Sequence, residues 1–161
     1  MNTHPESCLL PGQFGRRIPP YLPTYDFPEL WIDDTHRAIA ECPLADGALV
    51  QLLDGAGRTI PGWLRREDAL KLYELAFFAP ADILELGSFH GLSTSILARA
   101  AAHSPFPKRV CSIDLDPMCT RDTVLTLESL GLAQMVEART ADAAEAVAAE
   151  ARVHRAKMVL V

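Results

Sequence analysis

Residues 81–101, ADILELGSFHGLSTSILARAA, constrain the fold of this chain more than any other stretch. The short apolar run 83–86 is typical of a buried strand, and the segment 87–91 interrupts it sharply with two glycines. From Leu92 the apolar residues recur every third or fourth position, which predicts a helix. A strand, a glycine-bounded turn and a helix in this order present free backbone N–H groups. The stretch therefore predicts a ligand site at the turn.

The segments that follow repeat the alternation of strand and helix. Strands are predicted at 109–114, 134–138 and 157–161. One predicted helix opens at Asp116-Pro117, a typical N-cap followed by proline, and stops at Gly131; another covers 141–151. Strands separated by single helices favour βαβ units, a parallel sheet and right-handed crossovers. The predicted fold class is α/β.

The first part of the chain has a different character. Residues 1–30 are rich in proline and contain scattered aromatic residues, which predicts an extended arm over the surface or an arm for oligomerisation or substrate covering. A short helix is predicted from Asp33 or Asp34 to Cys42, and 48–53 fits either an edge strand or a helical turn. A further helix is predicted over 65–78, covered on more than one side. We expect two parts: 1–60, the arm with short elements, and 61–161, the ligand-binding domain.

Charge and cysteine content exclude several classes of protein. The net charge of −6 argues against binding to nucleic acid or to an anionic membrane. No apolar stretch approaches the ~20 residues of a membrane span, and the first residues do not resemble a signal peptide. The four cysteines are scattered without a CxxC pair, which favours reduced thiols and a cytoplasmic location. No spacing of histidine with acidic residues or cysteine indicates a metal site.

Polar residues follow three of the predicted strands, at the edge where parallel sheets bind ligands. These are Glu85 with its glycine turn, Asp114, and the segment 140–142. A carboxylate such as Asp114 can accept both ribose hydroxyls, and such charge-assisted hydrogen bonds contribute roughly 1.5–3 kcal/mol each. The dinucleotide fingerprint GxGxxG is absent, because Phe89 stands in place of its second glycine and would obstruct a pyrophosphate. Phe89 and Glu85 suit a phosphate-free ligand with a cationic part.

Several polar residues have structural explanations. A turn histidine facing solvent explains His90 better than a catalytic base does. A helix cap explains Asp116, and the same explanation is open for Asp142. Cys111 is most simply a small core residue.

The segment ILELGSFHGLSTSILA resembles motif I of class I S-adenosylmethionine-dependent methyltransferases, particularly the catechol O-methyltransferase-like branch, whose ELGxxxGxS pattern has an aromatic residue at the position of Phe89. VCSIDLDP resembles the acidic motif that follows, and the helix over 61–78 resembles the segment before the core. The likeness covers about residues 60–161 and implies S-adenosylmethionine as cofactor. The cofactor-binding residues that it implies are Glu85, Gly87, Ser88, Phe89, Gly91, Ser93, Asp114, Leu115, Ala141 and Asp142.

The resemblance also implies a Rossmann-like parallel sheet, here with the four strands in the order 3-2-1-4. In this family an acidic motif with a metal ligand or catalytic group follows the fourth strand, whereas this sequence ends at Val161. We therefore expect a fragment of a longer protein that holds most of the cofactor half; the alternative is a short protein that completes its sheet through a partner. No catalytic residue or metal ligand is assigned. The arm and the exposed fourth strand are the candidate surfaces for a homo-oligomer.

The function implied is methyl transfer from S-adenosylmethionine to a small-molecule oxygen or nitrogen, with O-methylation favoured. A non-catalytic Rossmann-like module for binding or assembly is a serious alternative, since the acceptor half is missing. A nucleotide-dependent oxidoreductase is a weaker alternative, because the glycine fingerprint is absent.

Overall fold

The structure, a computed structural model, describes residues 31–154 and 158–160. The predicted arm over 1–30 lies outside the described residues. The first helix, α1, covers Asp34–Glu41, and the Oδ1 atom of Asp33 caps it by accepting the N–H of His36 at 2.8 Å. This confirms the predicted helix start.

Two short strands follow α1. Strands β1 (Leu44–Ala45) and β2 (Leu49–Val50) pair antiparallel around a 3-10 turn over Asp46–Ala48. The segment 48–53, open between strand and helical turn, therefore contributes one residue to the turn and two to a strand.

The remaining elements alternate as predicted. They are α2 (Arg66–Phe78), β3 (Asp82–Leu86), α3 (Leu92–His103), β4 (Val110–Asp114), α4 (Pro117–Ser129), β5 (Val136–Thr140), α5 (Ala143–His154) and β6 (Met158–Leu160). The four strands from β3 onward form one parallel sheet in the order β5-β4-β3-β6. Counted from β3, this is the predicted order 3-2-1-4. The α/β class and the Rossmann-like sheet are confirmed.

The core lies between the sheet and the helices α2 and α3. Ile83, Ile96 and Val110 are fully buried and belong to one apolar cluster with Tyr73. Ile39, from α1, is buried in the same cluster, so the segment before residue 60 packs on the domain. The division of the chain at residue 60 stays a prediction.

Helix α2 packs on α3, α1 and β2 but leaves one face exposed. Ala69, Leu70 and Tyr73 are buried, whereas Leu75 is 51% exposed and Phe78 is 61% exposed. The prediction that this helix is covered on more than one side is wrong for the face carrying Leu75 and Phe78. In the described residues, that face meets solvent.

Two elements begin two residues later than predicted. The third core strand begins at Val136 rather than Gln134, because 133–135 form a 3-10 turn in which the N–H of Met135 donates to the carbonyl of Leu132 at 2.9 Å. The last helix begins at Ala143 rather than Ala141. The predicted stop at Gly131 is confirmed: this residue follows α4 with a φ of 70°.

A buried lysine closes the end of α2. The Nζ atom of Lys108, just before β4, donates to the carbonyls of Ala76 at 2.6 Å and Phe77 at 3.0 Å, and also to that of Ala79. A cation suits these carbonyls, because the last turn of a helix carries partial negative charge. Lys108 is 6% exposed, and burial lowers the pKa of its ammonium. One side chain thus joins α2 to the strand beside it.

Within the part of the chain that is described, none of the helices combines the length and the apolar character that a membrane span requires.

Candidate functional site

The turn between β3 and α3 has an unusual backbone. Gly87, Phe89 and Gly91 have φ values of 93°, 49° and 88°. A left-handed conformation is easy for glycine and costly for phenylalanine. At Gly91 a Cβ atom would lie 3.1 Å from the Cα of Thr123 in α4, whereas at Gly87 nothing lies within 4 Å. Gly91 therefore allows close packing of α4, and Gly87 leaves open space beside the backbone.

Asp114 holds this turn. Its Oδ2 atom accepts the N–H of Phe89 at 2.9 Å and faces the hydroxyl of Ser88 at 3.4 Å. Its Oδ1 atom accepts the N–H of Asp116 at 2.9 Å. On the other side of the turn, the hydroxyl of Thr123 donates to the carbonyl of Phe89 at 3.2 Å. These bonds stabilise the left-handed backbone of Phe89, so the two strand ends predicted to meet are directly joined.

Glu85, close to the end of β3, accepts hydrogen bonds from three hydroxyl groups. Its Oε1 atom accepts from Ser93 at 2.5 Å, and its Oε2 atom accepts from Thr94 and Ser112, both at 2.6 Å. The residue is 3% exposed. Glu85 therefore ties β3 to α3 and β4, which is a positioning role. Its predicted contact with S-adenosylmethionine stays a prediction, and so does that of Ser93.

Burial raises the pKa of Glu85. The hydroxyl bonds to Ser112, Ser93 and Thr94 act in the opposite direction, and the charge of Asp114 adds a further upward contribution. Burial dominates, because a carboxylate loses more hydration inside a protein than these neutral donors restore.

An exposed tryptophan that sequence reasoning missed lies over the turn. The Trp63 ring stacks on the Phe89 ring, with centroids 5.0 Å apart and an angle of 25° between the planes. Trp63 is 78% exposed and Phe89 is 36% exposed. The sequence signal was the glycine before it: a Cβ on Gly62 would lie 2.5 Å from Cδ2 of Leu92, so only glycine allows this approach to α3.

His90 has a partner in α4. Its Nδ1 atom lies 2.7 Å from Oδ2 of Asp122, and its ring centroid lies 3.9 Å from that of Phe89. The predicted turn histidine facing solvent is only partly exposed, at 29%, because its ring also contacts Asp122. The contact joins the turn to α4 rather than leaving the imidazole free.

The remaining predicted residues lie at the neighbouring strand ends. Leu115 is 74% exposed directly after β4. The N–H of Ala141 donates to the carbonyl of Asp114 at 3.0 Å. The Oδ1 atom of Asp142 accepts from Ala144 at 2.9 Å and from Glu145 at 3.2 Å, so it caps α5. The structure thus places these residues along one edge, and their contact with a ligand stays a prediction. Asp116 caps α4 as predicted.

Across residues 31–154 and 158–160, no group of three or more His, Cys, Asp or Glu side chains is placed to hold a metal ion. Of the cysteines in these residues, Cys42 and Cys111 are buried and Cys119 is partly exposed, and the guanidinium of Arg139 donates to the sulfur of Cys111 at 2.6 Å.

The chain is similar to known proteins in structure, and not to any family model or curated protein. No family model matches the sequence. No curated protein matches it either. Among solved structures, the chain is similar to the O-methyltransferase TomG from Streptomyces achromogenes, in complex with SAM, with 28% identity and a TM-score of 0.47 over 53% of this chain and 38% of that one. An O-methyltransferase from Bacillus cereus, in complex with SAH, matches at 24% identity and a TM-score of 0.50 over 58% and 42%. A Klebsiella pneumoniae protein described as a putative O-methyltransferase matches at 23% identity and 0.48 over 55% and 40%.

The match to the Bacillus cereus structure carries the conclusion about the fold. At a TM-score of 0.50, the described α/β unit shares the Rossmann-like fold of that structure. The resemblance predicted from motif I is confirmed as a likeness of fold. The chain spans 38% to 42% of the length of these three structures.

Proposed function

We propose that this chain binds S-adenosylmethionine at the carboxyl ends of β3 and β4 and belongs to a methyltransferase that acts on a small-molecule oxygen. The fold alone does not carry this proposal, because Rossmann-like folds host many chemistries. The observation that carries it is Asp114, an acid at the end of the second core strand that holds the glycine-bounded turn of the first.

The residues at the turn fit a nucleoside. A carboxylate offers about four acceptor positions. Asp114 uses three, one of them in the long contact with Ser88, so it retains capacity for a ribose hydroxyl. Gly87 has open space where a side chain would stand, which lets a ligand lie against the backbone. Exposed Leu115 offers an apolar surface for a purine ring.

The turn also discriminates against dinucleotides. Phe89 stands at the position of the second fingerprint glycine, and its backbone and ring are both held in place by Asp114 and Trp63. A pyrophosphate needs that space. This fixed ring disfavours the oxidoreductase alternative.

When bound, S-adenosylmethionine supplies a methyl group on a positively charged sulfur with a good leaving group. The chain's residues would orient the cofactor and shield it from water. Asp114 would hold the ribose, and Phe89 would exclude water from one side of the site. Glu85 keeps the N-terminus of α3 in place through Ser93 and Thr94. The base that deprotonates the acceptor is not assigned to a described residue.

O-methylation is favoured because motif I resembles that branch and the Bacillus cereus protein of the same fold is an O-methyltransferase. For the whole protein, we therefore propose O-methylation of a small-molecule acceptor. The predicted cytoplasmic location stays a prediction, as do the surfaces for a homo-oligomer.

Calorimetry with S-adenosylmethionine, S-adenosylhomocysteine and NAD tests the proposal. We expect the chain to bind the first two and not NAD. Asp114→Ala should weaken binding of S-adenosylmethionine about 10- to 150-fold, because it removes one charge-assisted hydrogen bond to the ribose.

The matched control is Asp34→Asn, which changes an exposed acid on α1. It should leave binding unchanged. Binding of NAD alone would favour the oxidoreductase, and binding of none of the three would favour a module without a nucleoside site. Circular dichroism on each variant checks that the fold is kept.

A further inference from the structure

The exposed indole of Trp63 is the most unusual surface group near the turn. An aromatic ring that is 78% exposed on a folded domain leaves a large apolar area in water. One face of the indole rests on Phe89 at a centroid distance of 5.0 Å. The high exposure means that its other face is open. One face of the indole is therefore packed against Phe89, and the other face is open to a ligand.

Several contacts fix the position of this aromatic pair. Gly62 packs against Leu92, where a Cβ would come within 2.5 Å of a side-chain carbon, so the backbone beside Trp63 is pressed on the start of α3. Phe89 is held by its N–H bond to Asp114 and by the bond from Thr123 to its carbonyl. Strained conformations that surrounding contacts maintain are typical of functional positions.

The surroundings of the pair are acidic. Asp114 binds the backbone of Phe89, and Asp122 binds His90, whose ring lies 3.9 Å from that of Phe89. Burial raises the pKa of the nearby Cys119 thiol, and the charges of Asp114, Asp116 and Asp122 raise it further. Negative charge disfavours a thiolate and favours a bound cation for the same electrostatic reason.

We propose that the open face of Trp63, held in place by Phe89, forms a cation–π surface that selects the positively charged sulfonium of S-adenosylmethionine over the neutral thioether of S-adenosylhomocysteine. This rests on the proposed function and names a specificity determinant within that site. The negative faces of aromatic rings attract cations, and tryptophan is the strongest of them. The acidic side chains around the pair add to the attraction.

The surface distinguishes the cofactor before and after transfer. In methyl transfer the bond from sulfur to methyl would break with its electron pair staying on sulfur, and the acceptor oxygen would gain the methyl group and release its proton to a base or to water. The sulfur thereby loses its charge. An aromatic pair that binds the charged form more tightly would favour exchange of product for fresh cofactor.

The test compares dissociation constants by calorimetry for wild type, Trp63→Leu and Trp63→Phe. The ligands are S-adenosylmethionine, S-adenosylhomocysteine and sinefungin, in which a protonated amine replaces the methylsulfonium. In Trp63→Leu the preference for S-adenosylmethionine over S-adenosylhomocysteine should fall about 2- to 30-fold. Binding of sinefungin to Trp63→Leu should weaken by a similar factor.

Trp63→Phe should restore most of the preference, because it keeps an aromatic face. The matched control Phe78→Leu, also an exposed aromatic residue but on α2, should leave the preference unchanged.

The outcomes separate this inference from the proposed function. If wild type binds S-adenosylmethionine and S-adenosylhomocysteine but Trp63→Leu affects both equally or neither, the cation–π surface is refuted while the cofactor site stands. Unchanged sinefungin binding would also refute it. If wild type binds none of these ligands, the proposed function fails, and this inference fails with it.

Discussion

Replacing Glu85 by glutamine separates the charge of this buried side chain from its packing. Glutamine has nearly the same shape, and the hydroxyls of Ser93, Thr94 and Ser112 can rotate to donate to its oxygen or accept from its amide group. The variant therefore keeps most of the hydrogen bonds and removes the titratable carboxyl group. We expect the difference in stability between the two proteins to depend on pH.

The direction follows from the raised pKa of Glu85. Between its ordinary value of 4.5 and the higher folded value, the folded state binds more protons than the unfolded state. The free energy of unfolding of wild type should therefore fall as pH rises through that interval, relative to Glu85→Gln, and then stay constant. Each unit by which the pKa is raised corresponds to about 1.4 kcal/mol.

Urea denaturation of both proteins from about pH 4.5 to about pH 8 measures this difference. Subtracting one curve from the other cancels titrating groups that do not interact with Glu85. A difference that does not change with pH would refute the reasoning, and a wild type that gains stability relative to the variant would mean that the hydroxyl bonds outweigh burial.

Glu74→Gln is the matched control with the opposite direction. Burial alone would raise the pKa of Glu74, but hydrogen bonds to His36 and Lys71, together with their charges, outweigh it and lower the pKa below 4.5. Wild type should therefore lose stability relative to Glu74→Gln only as pH falls below that value.

Two further substitutions test how the elements are held together. Lys108→Met keeps most of the buried stem and removes the ammonium from the carbonyls of Ala76, Phe77 and Ala79, so we expect a loss of about 1–3 kcal/mol in the free energy of unfolding, measured in urea. Gly55→Ala places a Cβ 1.8 Å from the carbonyl oxygen of Ser129 and should cost about 1–3 kcal/mol by overpacking. Unchanged unfolding midpoints in either variant would contradict these contacts.

Local chemistry was sufficient to predict much of the fold. Asp33 and Asp116 cap helices, and Gly131 follows one, because these roles depend on neighbouring residues only. The order of the parallel strands followed from the alternation of helix and strand, together with the motif I resemblance. The meeting of Glu85 and Asp114 at one edge followed from that order.

Contacts between distant segments could not be predicted in the same way. Gly62 signals a close approach of the backbone beside Trp63 but does not show that the indole stacks on Phe89, and nothing near Lys108 shows that it caps α2. The pairing of His90 with Asp122 joins residues 32 positions apart. The late start of β5 arises because Leu132 and Met135 close a 3-10 turn, which apolar pattern alone does not distinguish from a strand.

The double use of Asp114 limits how this site can change. The same carboxylate that would receive a nucleoside already fixes the backbone of Phe89 and Asp116. A replacement that would weaken the proposed nucleoside contact therefore also loosens the loop, and one that preserves both loop bonds keeps an acid at the proposed site. Variation in affinity without loss of order must come from neighbours such as Ser88 or Leu115, whose side chains carry less of the architecture.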